Sequence, residues 1–236
     1  RLVEEKFRPI LKGLQEEVIA SGLFEPKAVY GYFPAQGEGN DLIVYEPPAE
    51  KPGVRSREPG VSMAGAPVPQ ELLRFTFPRQ KEGRRLCLAD FFARRGSGTM
   101  DVLGLSLVTI GPKASEYTKK LFESGEYTKY LYLHGLSVET AEALAEFHHK
   151  HVRQELGIAG EDSPEIRDLF HQKYRGSRYS FGYPACPNLE DQTKLFRLLK
   201  PEETIGVHLT TGFLLEPEQS TSAIVVHHPA AKYFVA

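Results

Sequence analysis

The densest chemistry in the chain lies in Arg178-Tyr-Ser-Phe-Gly182-Tyr183-Pro184-Ala185-Cys186-Pro187. A guanidinium at its start can fork onto a carboxylate or phosphate. Gly182 lets backbone approach a bound molecule closely, and the two prolines stiffen the strip around Ala185. Such a strip can offer backbone N–H and C=O groups to a flat heterocycle, while a tight loop entering a helix is the plain alternative. Cys186 stands just before a helix start, where a thiol can become a nucleophile, so a Cys186-dependent hydrolase or transferase is one reading. A small buried apolar residue is the other. Glu146/His149 and Asp168/His171 each place a carboxylate and a histidine at i, i+3, the di-iron spacing of four-helix bundles. The second pair has Asp, and the strand content argues against a bundle, so His148, His149 and His151 read as a solvated helix face. His227-His228 ends a strand before Pro229 with no companion carboxylate nearby and reads as structural. Arg95-Gly-Ser-Gly98 lacks the Lys-Ser/Thr of a P-loop, and Gly37-Glu-Gly39 lacks a third glycine, so neither supports a nucleotide fold.

These groups need elements to hold them. Val3, Phe7, Ile10, Leu11, Leu14, Val18 and Ile19 follow helical spacing, which Pro9 should kink or split. Ala28–Phe33 and Asp41–Tyr45 read as strands joined through Pro34–Asn40 as a hairpin. The stretch 46–70 carries six prolines and no apolar period, and reads as an irregular excursion within the domain. Leu73–Phe77 and Asp101–Ile110 read as further strands. Helices are expected over 115–124, from Ser137 as N-cap towards Leu156, over 165–175, and after Asn188 up to Pro201. The runs at 207–209, 212–215 and 223–226 suggest a terminal hairpin. Strands and helices cluster without strict βαβ alternation, so the expected class is α+β around a mainly antiparallel sheet.

Composition narrows the functions. Among 236 residues, 29 Lys+Arg face 31 Asp+Glu, a formal charge of -2 that excludes a strongly basic nucleic-acid binder. Hydrophobic residues at 41% and charged ones at 25% place the chain among globular domains, away from disorder. No apolar run approaches the ~20 residues of a membrane helix. Two distant cysteines without CxxC spacing argue for a reducing, cytoplasmic setting and against a cysteine-ligated zinc. The chain starts at Arg1 without a signal-peptide pattern, and reads as a piece of something longer.

The strip Arg178-x-x-x-Gly-Tyr-Pro-Ala-Cys-Pro187 closely resembles the signature of the C-terminal activation domain of cobalamin-dependent methionine synthase. Other segments match in the family's order: the hairpin from Ala28 to Tyr45, Arg74-Phe-Thr-Phe-Pro-Arg-Gln80, and Cys87-Leu-Ala-Asp90-Phe91. Ala141-Glu142-Ala143 to Arg153 and the closing His228-Pro-x-x-Lys232-Tyr233-Phe234 complete the series. The resemblance therefore covers nearly all of residues 1–236, as one domain of a larger multidomain chain.

It implies a C-shaped α+β domain that binds S-adenosylmethionine (AdoMet). Such a domain remethylates cobalamin held by a neighbouring domain of the same enzyme, after oxidation to cob(II)alamin, restoring methylcobalamin for methionine synthesis. The electron comes from a flavodoxin-type donor, for which Lys81, Arg84 and Arg85 are a candidate basic contact. By match, Arg178 should hold the AdoMet carboxylate and Asp90 its polar amino-acid end. Tyr183 and Ala185 should offer backbone to the adenine, Tyr233 and Phe234 fill the terminal aromatic pair, and Glu142 faces the site from a helix. No general base and no metal ligand of its own are implied, because the strong nucleophile belongs to the cofactor. Three departures stand out: the excursion over 46–70 is longer than its family counterpart, Phe234 removes a tyrosine hydroxyl, and Val138-Glu139 replaces an acidic residue one turn before Glu142. An interaction domain that has lost AdoMet binding is the remaining alternative.

Overall fold

The computed structural model of the protein describes residues 3–47, 61–62 and 69–236. A π-helical turn, Val3–Phe7, runs directly into α1 (Arg8–Ser21), with Phe7 in right-handed helical conformation at the junction, so Pro9 falls in the first turn of α1. The strands follow as β1 (Lys27–Glu38), β2 (Asp41–Tyr45), β3 (Val61–Ser62), β4 (Glu71–Thr76) and β5 (Thr99–Thr109). Next come α2 (Pro112–Glu123), α3 (Tyr127–Glu155), α4 (Ile166–Leu169), β6 (Ser177–Ser180), α5 (Gln192–Leu199) and α6 (Pro201–Thr204). The short pair β7 (His208–Leu209) and β8 (Leu215–Glu216) precedes β9 (Ser220–Val226). The main sheet has the order β4-β2-β1-β5-β9-β6, with β3 also on β5, and β1–β2, β2–β4, β3–β5 and β6–β9 are antiparallel. The class is α+β with a mainly antiparallel sheet.

Several local expectations change. The first hairpin turns at Gly39-Asn40 alone, because β1 continues through Pro34 and pairs Ala35, Gln36 and Gly37 with Val44, Ile43 and Leu42. Ser137 is not an N-cap. α3 starts ten residues earlier, and the Ser137 hydroxyl donates back to the His134 carbonyl at 2.7 Å, inside the helix. The helix expected over 165–175 is the single turn of α4, after which Asp168 C=O accepts turn bonds from His171 N–H at 3.0 Å and Lys173 N–H at 3.1 Å in place of a continued i→i+4 ladder. The terminal hairpin is β7–β8, a separate two-stranded ribbon, whereas β9 joins the main sheet beside β6. The Pro-rich excursion lies outside the described residues except for 46–47, 61–62 and 69–70. At its base Glu46 N–H donates to Gln70 C=O at 3.0 Å.

The chain divides into two compact units. One takes the described residues of 1–29 with 107–147 and 201–221. Its core sets Val18, Leu121 and Leu133 against Leu23, Phe24 and Tyr130, beside Ile110, Ala114 and Ala141. The other takes 30–106, 148–200 and 222–236 in the described residues, and carries Leu42, Val44, Phe75 and Leu103 fully buried. Among the described residues, no helix is long and apolar enough to cross a membrane.

Candidate functional site

Six of the seven expected site residues, Asp90, Arg178, Tyr183, Ala185, Tyr233 and Phe234, belong to the sheet-bearing unit. Glu142 is exposed on α3 in the other unit.

Asp90 sits on a 3-10 turn, Leu88–Phe91, that is seated directly on β1. Gly37 makes this possible: a Cβ there would meet the Ala89 carbonyl oxygen at 2.3 Å, well inside contact. Gly37 N–H donates to Ala93 C=O and Arg95 N–H to Gly37 C=O, both at 2.9 Å, so the loop docks as a short parallel bridge. The Asp90 carboxylate is then held by a fork. Arg79 Nη1 donates to Oδ2 at 2.6 Å and Nη2 to Oδ1 at 2.8 Å, and the Cys87 amide adds a third bond at 3.0 Å. The Arg79 guanidinium lowers the Asp90 pKa below the ordinary Asp value, against the opposing effect of burial. Arg79 is itself anchored on Asn40 Oδ1, Gly39 C=O and Arg85 C=O. Arg79 lies within the matching run Arg74–Gln80, but its fork on Asp90 depends on Asn40, Arg85 and Asp90 being brought together by the fold.

Arg178 lies on β6, opposite Val225 of β9, half-buried between the buried Ser177 and Tyr179. Tyr179 points to the other face, donates to Lys232 C=O at 2.8 Å, and packs with Phe91 and Phe234 in a ring cluster at 5.9–6.4 Å. Phe234 is 8% exposed within this cluster, and a hydroxyl there would need a buried partner. Tyr233 is exposed. The final segment is pinned on both sides, Lys232 Nζ donating to Tyr174 C=O at 2.8 Å and Gln80 Nε2 to Val235 C=O at 2.7 Å.

After β6 the strip closes into a turn rather than running on extended. Gly182, at φ +89°, donates to Cys186 C=O, and Cys186 N–H donates back to Tyr183 C=O, both at 2.8 Å. Those four backbone groups are committed within the turn, which leaves Tyr183 exposed and Ala185 buried. Asn188 Oδ1 accepts from Glu190 N–H at 3.2 Å and starts the turn that becomes α5, as its type predicts. Cys186 is 1% exposed, and burial, with Asp191 adding to it, pushes its thiol pKa up. A resident thiolate nucleophile is disfavoured at that position.

The histidines depart most from expectation. His148 and His149 are buried, not solvated: Ser106 Oγ lies 3.1 Å from His148 Nδ1, and His149 meets the Tyr174 ring edge-on at 5.2 Å. Burial lowers the pKa of both and keeps His149 neutral. His227 does have a carboxylate partner, Asp101, with Nε2 2.6 Å from Oδ1. The two are 126 residues apart, so no local pattern could pair them. Among the described residues, no group of three His, Cys, Asp or Glu side chains is placed to hold a metal ion.

Residues 10–236 match the family described as vitamin B12 dependent methionine synthase, activation domain. The chain is 43% identical over 244 residues to the methionine synthases of Mycobacterium tuberculosis (strain ATCC 25618 / H37Rv) and Mycobacterium leprae (strain TN). Each match covers 99% of this chain and 19% of the relative, so the chain spans about a fifth of the length of these curated relatives. Among solved structures, a crystal structure of the MetH reactivation domain bound to AdoHcy superposes with a TM-score of 0.84 at 26% identity. That likeness extends over 100% of this chain and 69% of the other.

Proposed function

The chain belongs to the family of vitamin B12 dependent methionine synthase activation domains, and on that premise we propose that it is an AdoMet-binding reactivation module. Residues 1–236 would then be one domain of a longer cytoplasmic enzyme, whose neighbouring domain holds the cobalamin. When reduced by one electron from a flavodoxin-type donor, that cofactor would supply a strong nucleophile for the sulfonium methyl group, with S-adenosylhomocysteine as the leaving group. The chain's own residues bind and orient the donor and keep water away from it, which is a positioning contribution.

The observation that carries the reading is the Asp90 carboxylate, built into a fixed place by Arg79 and the Cys87 amide and held charged at neutral pH. AdoMet has two cationic centres, an ammonium and a sulfonium, and a fixed carboxylate favours both. Arg178 meets the opposite need, a carboxylate on the ligand. Tyr183 and Ala185 flank the adenine, Tyr183 through its exposed ring because its carbonyl is committed in the turn. Tyr233 closes the site and Phe234 backs it. The exposed Lys81, Arg84 and Arg85 form the rim for an acidic electron donor.

Calorimetry with AdoMet tests binding, and mixing the chain with a cobalamin-binding fragment, AdoMet and a low-potential reductant tests function. The cobalamin spectrum should convert to the methylated form only when all components are present. Equal conversion without this chain would sink the reading. The chain alone should transfer no methyl group to homocysteine.

Replacing Asp90 by Asn should weaken AdoMet more than 5′-methylthioadenosine, which lacks the amino-acid end. Because the folded carboxyl titrates below the ordinary Asp value of about 3.9, its contribution is complete above that pH and fades only as pH falls through the lower folded value. Equal losses for the two ligands would reduce Asp90 to a shaping role in its loop.

A further inference from the structure

Asp101 and His227 form a buried pair that makes none of the ligand contacts proposed above. Asp101 is 7% exposed near the start of β5, and His227 is 6% exposed just after β9. One carboxylate gathers three partners. Its Oδ2 accepts the Ala93 N–H at 3.0 Å, and its Oδ1 accepts the Val102 N–H at 2.8 Å and faces His227 Nε2 at 2.6 Å. Ala93 lies three residues beyond Asp90, and its carbonyl takes the Gly37 N–H that seats the loop on β1. His227 opens the closing segment: the neighbouring His228 packs on Phe91 with ring centroids 5.6 Å apart, and Tyr233 and Phe234 follow.

The same carboxylate therefore bonds to both sides of the site. On one side is the loop that presents Asp90, on the other the segment that presents the terminal aromatic pair. We propose that Asp101–His227 is a positioning pair, a buried clip that sets the Asp90 loop against the C-terminal aromatic segment and so fixes the amino-acid end of the AdoMet site. This rests on the function proposed above.

The energetics support a clip over a passive contact. Burial alone would raise the Asp101 pKa, yet the bond and charge of His227, with the two backbone N–H groups, lower it overall. His227 Nδ1 has no hydrogen-bond partner among the described residues, so the bond to Asp101 is what fixes the ring. The charged and titratable groups around the pair are His228, whose pKa burial lowers, and Arg175, whose Nε donates to His227 C=O at 3.0 Å while Nη1 pairs with Glu161. None of them offers Ala93 a second acceptor. Removing the clip should therefore free the loop while the sheet stays paired.

His227→Leu and His227→Gln separate positioning from bulk packing. Leucine fills the space without a donor, whereas the glutamine amide reaches the Nε2 position and can still donate to Asp101. Hydrogen exchange at the Ala93 amide should accelerate in His227→Leu and stay near the unsubstituted rate in His227→Gln. AdoMet should bind about tenfold more weakly to His227→Leu and within about twofold of the original to His227→Gln, corresponding to one lost buried hydrogen bond. 5′-Methylthioadenosine should bind all three chains alike. An unchanged Ala93 exchange rate in His227→Leu, or equal losses for both ligands, would overturn the proposal. Should His227→Leu fail to fold, the unsubstituted chain still decides: a slowly exchanging, down-field ring N–H on His227 in the proton NMR spectrum is required, and its absence refutes the clip. If the unsubstituted chain binds neither ligand, the functional reading fails, and the clip is then judged on the Ala93 exchange and the ring proton alone.

Discussion

Arg178→Ala is expected to weaken AdoMet binding by about 2–4 kcal/mol, at least some 30-fold in the dissociation constant. The reason is geometric as much as electrostatic. Arg178 is half-buried on β6, and its backbone is fixed by the pairing of Arg178 with Val225, so the guanidinium starts from a rigid strand. A ligand carboxylate meeting that fork gains two charge-assisted bonds at a small ordering cost. Arg178→Lys should recover only part of the loss, since an ammonium restores the charge and not the planar pair of donors. The 5′-methylthioadenosine affinity should barely move in either variant, because that ligand has no carboxylate. Calorimetry that finds AdoMet affinity unchanged in both variants would remove Arg178 from the site.

Arg153→Met should produce the largest loss of stability. The Arg153 side chain is 2% exposed, and its Nε and Nη2 each donate at 2.8 Å to the two oxygens of Asp162, itself 9% exposed. The guanidinium also lies over the Tyr174 ring at 4.0 Å, and Tyr174 C=O in turn accepts Lys232 Nζ, which pins the closing segment. Methionine fills the volume but strands the Asp162 carboxylate away from water, a change that costs roughly 3–5 kcal/mol. For a chain of this length the melting temperature should fall by on the order of 10 °C. Adding Asp162→Asn to Arg153→Met should return part of the loss, because the uncompensated charge is gone. A single variant that melts with the original chain would mean that the pair contributes nothing to stability.

Local signals were legible wherever one segment carries its own reason for its shape. Pro9 falls in the first turn of α1, Asn188 starts the turn into α5, and the apolar run of β5 is buried from Met100 to Thr109. The ordered motifs, from the β1–β2 hairpin to Tyr233-Phe234, were enough to recognise the family. Arg178, Asp90 and the turn around Ala185 could be named because each lies within such a motif.

Tertiary structure decided what depends on distant partners. Serine and glycine at 135–137 look like a helix start because both are common there, yet α3 passes through them; its packing outweighs a propensity difference of about 1 kcal/mol. His148 and His149 look like a polar face, and only the fold places Ser106 and Tyr174 against them. Arg79 reaches Asp90 across 11 residues, and His227 reaches Asp101 across 126. A charged or titratable side chain signals its own chemistry in one dimension, but its partner is set by how strands pair and loops dock. That is why the sequence by itself determined the family and the residues to suspect, while the fold alone determined which of them are held, and by what.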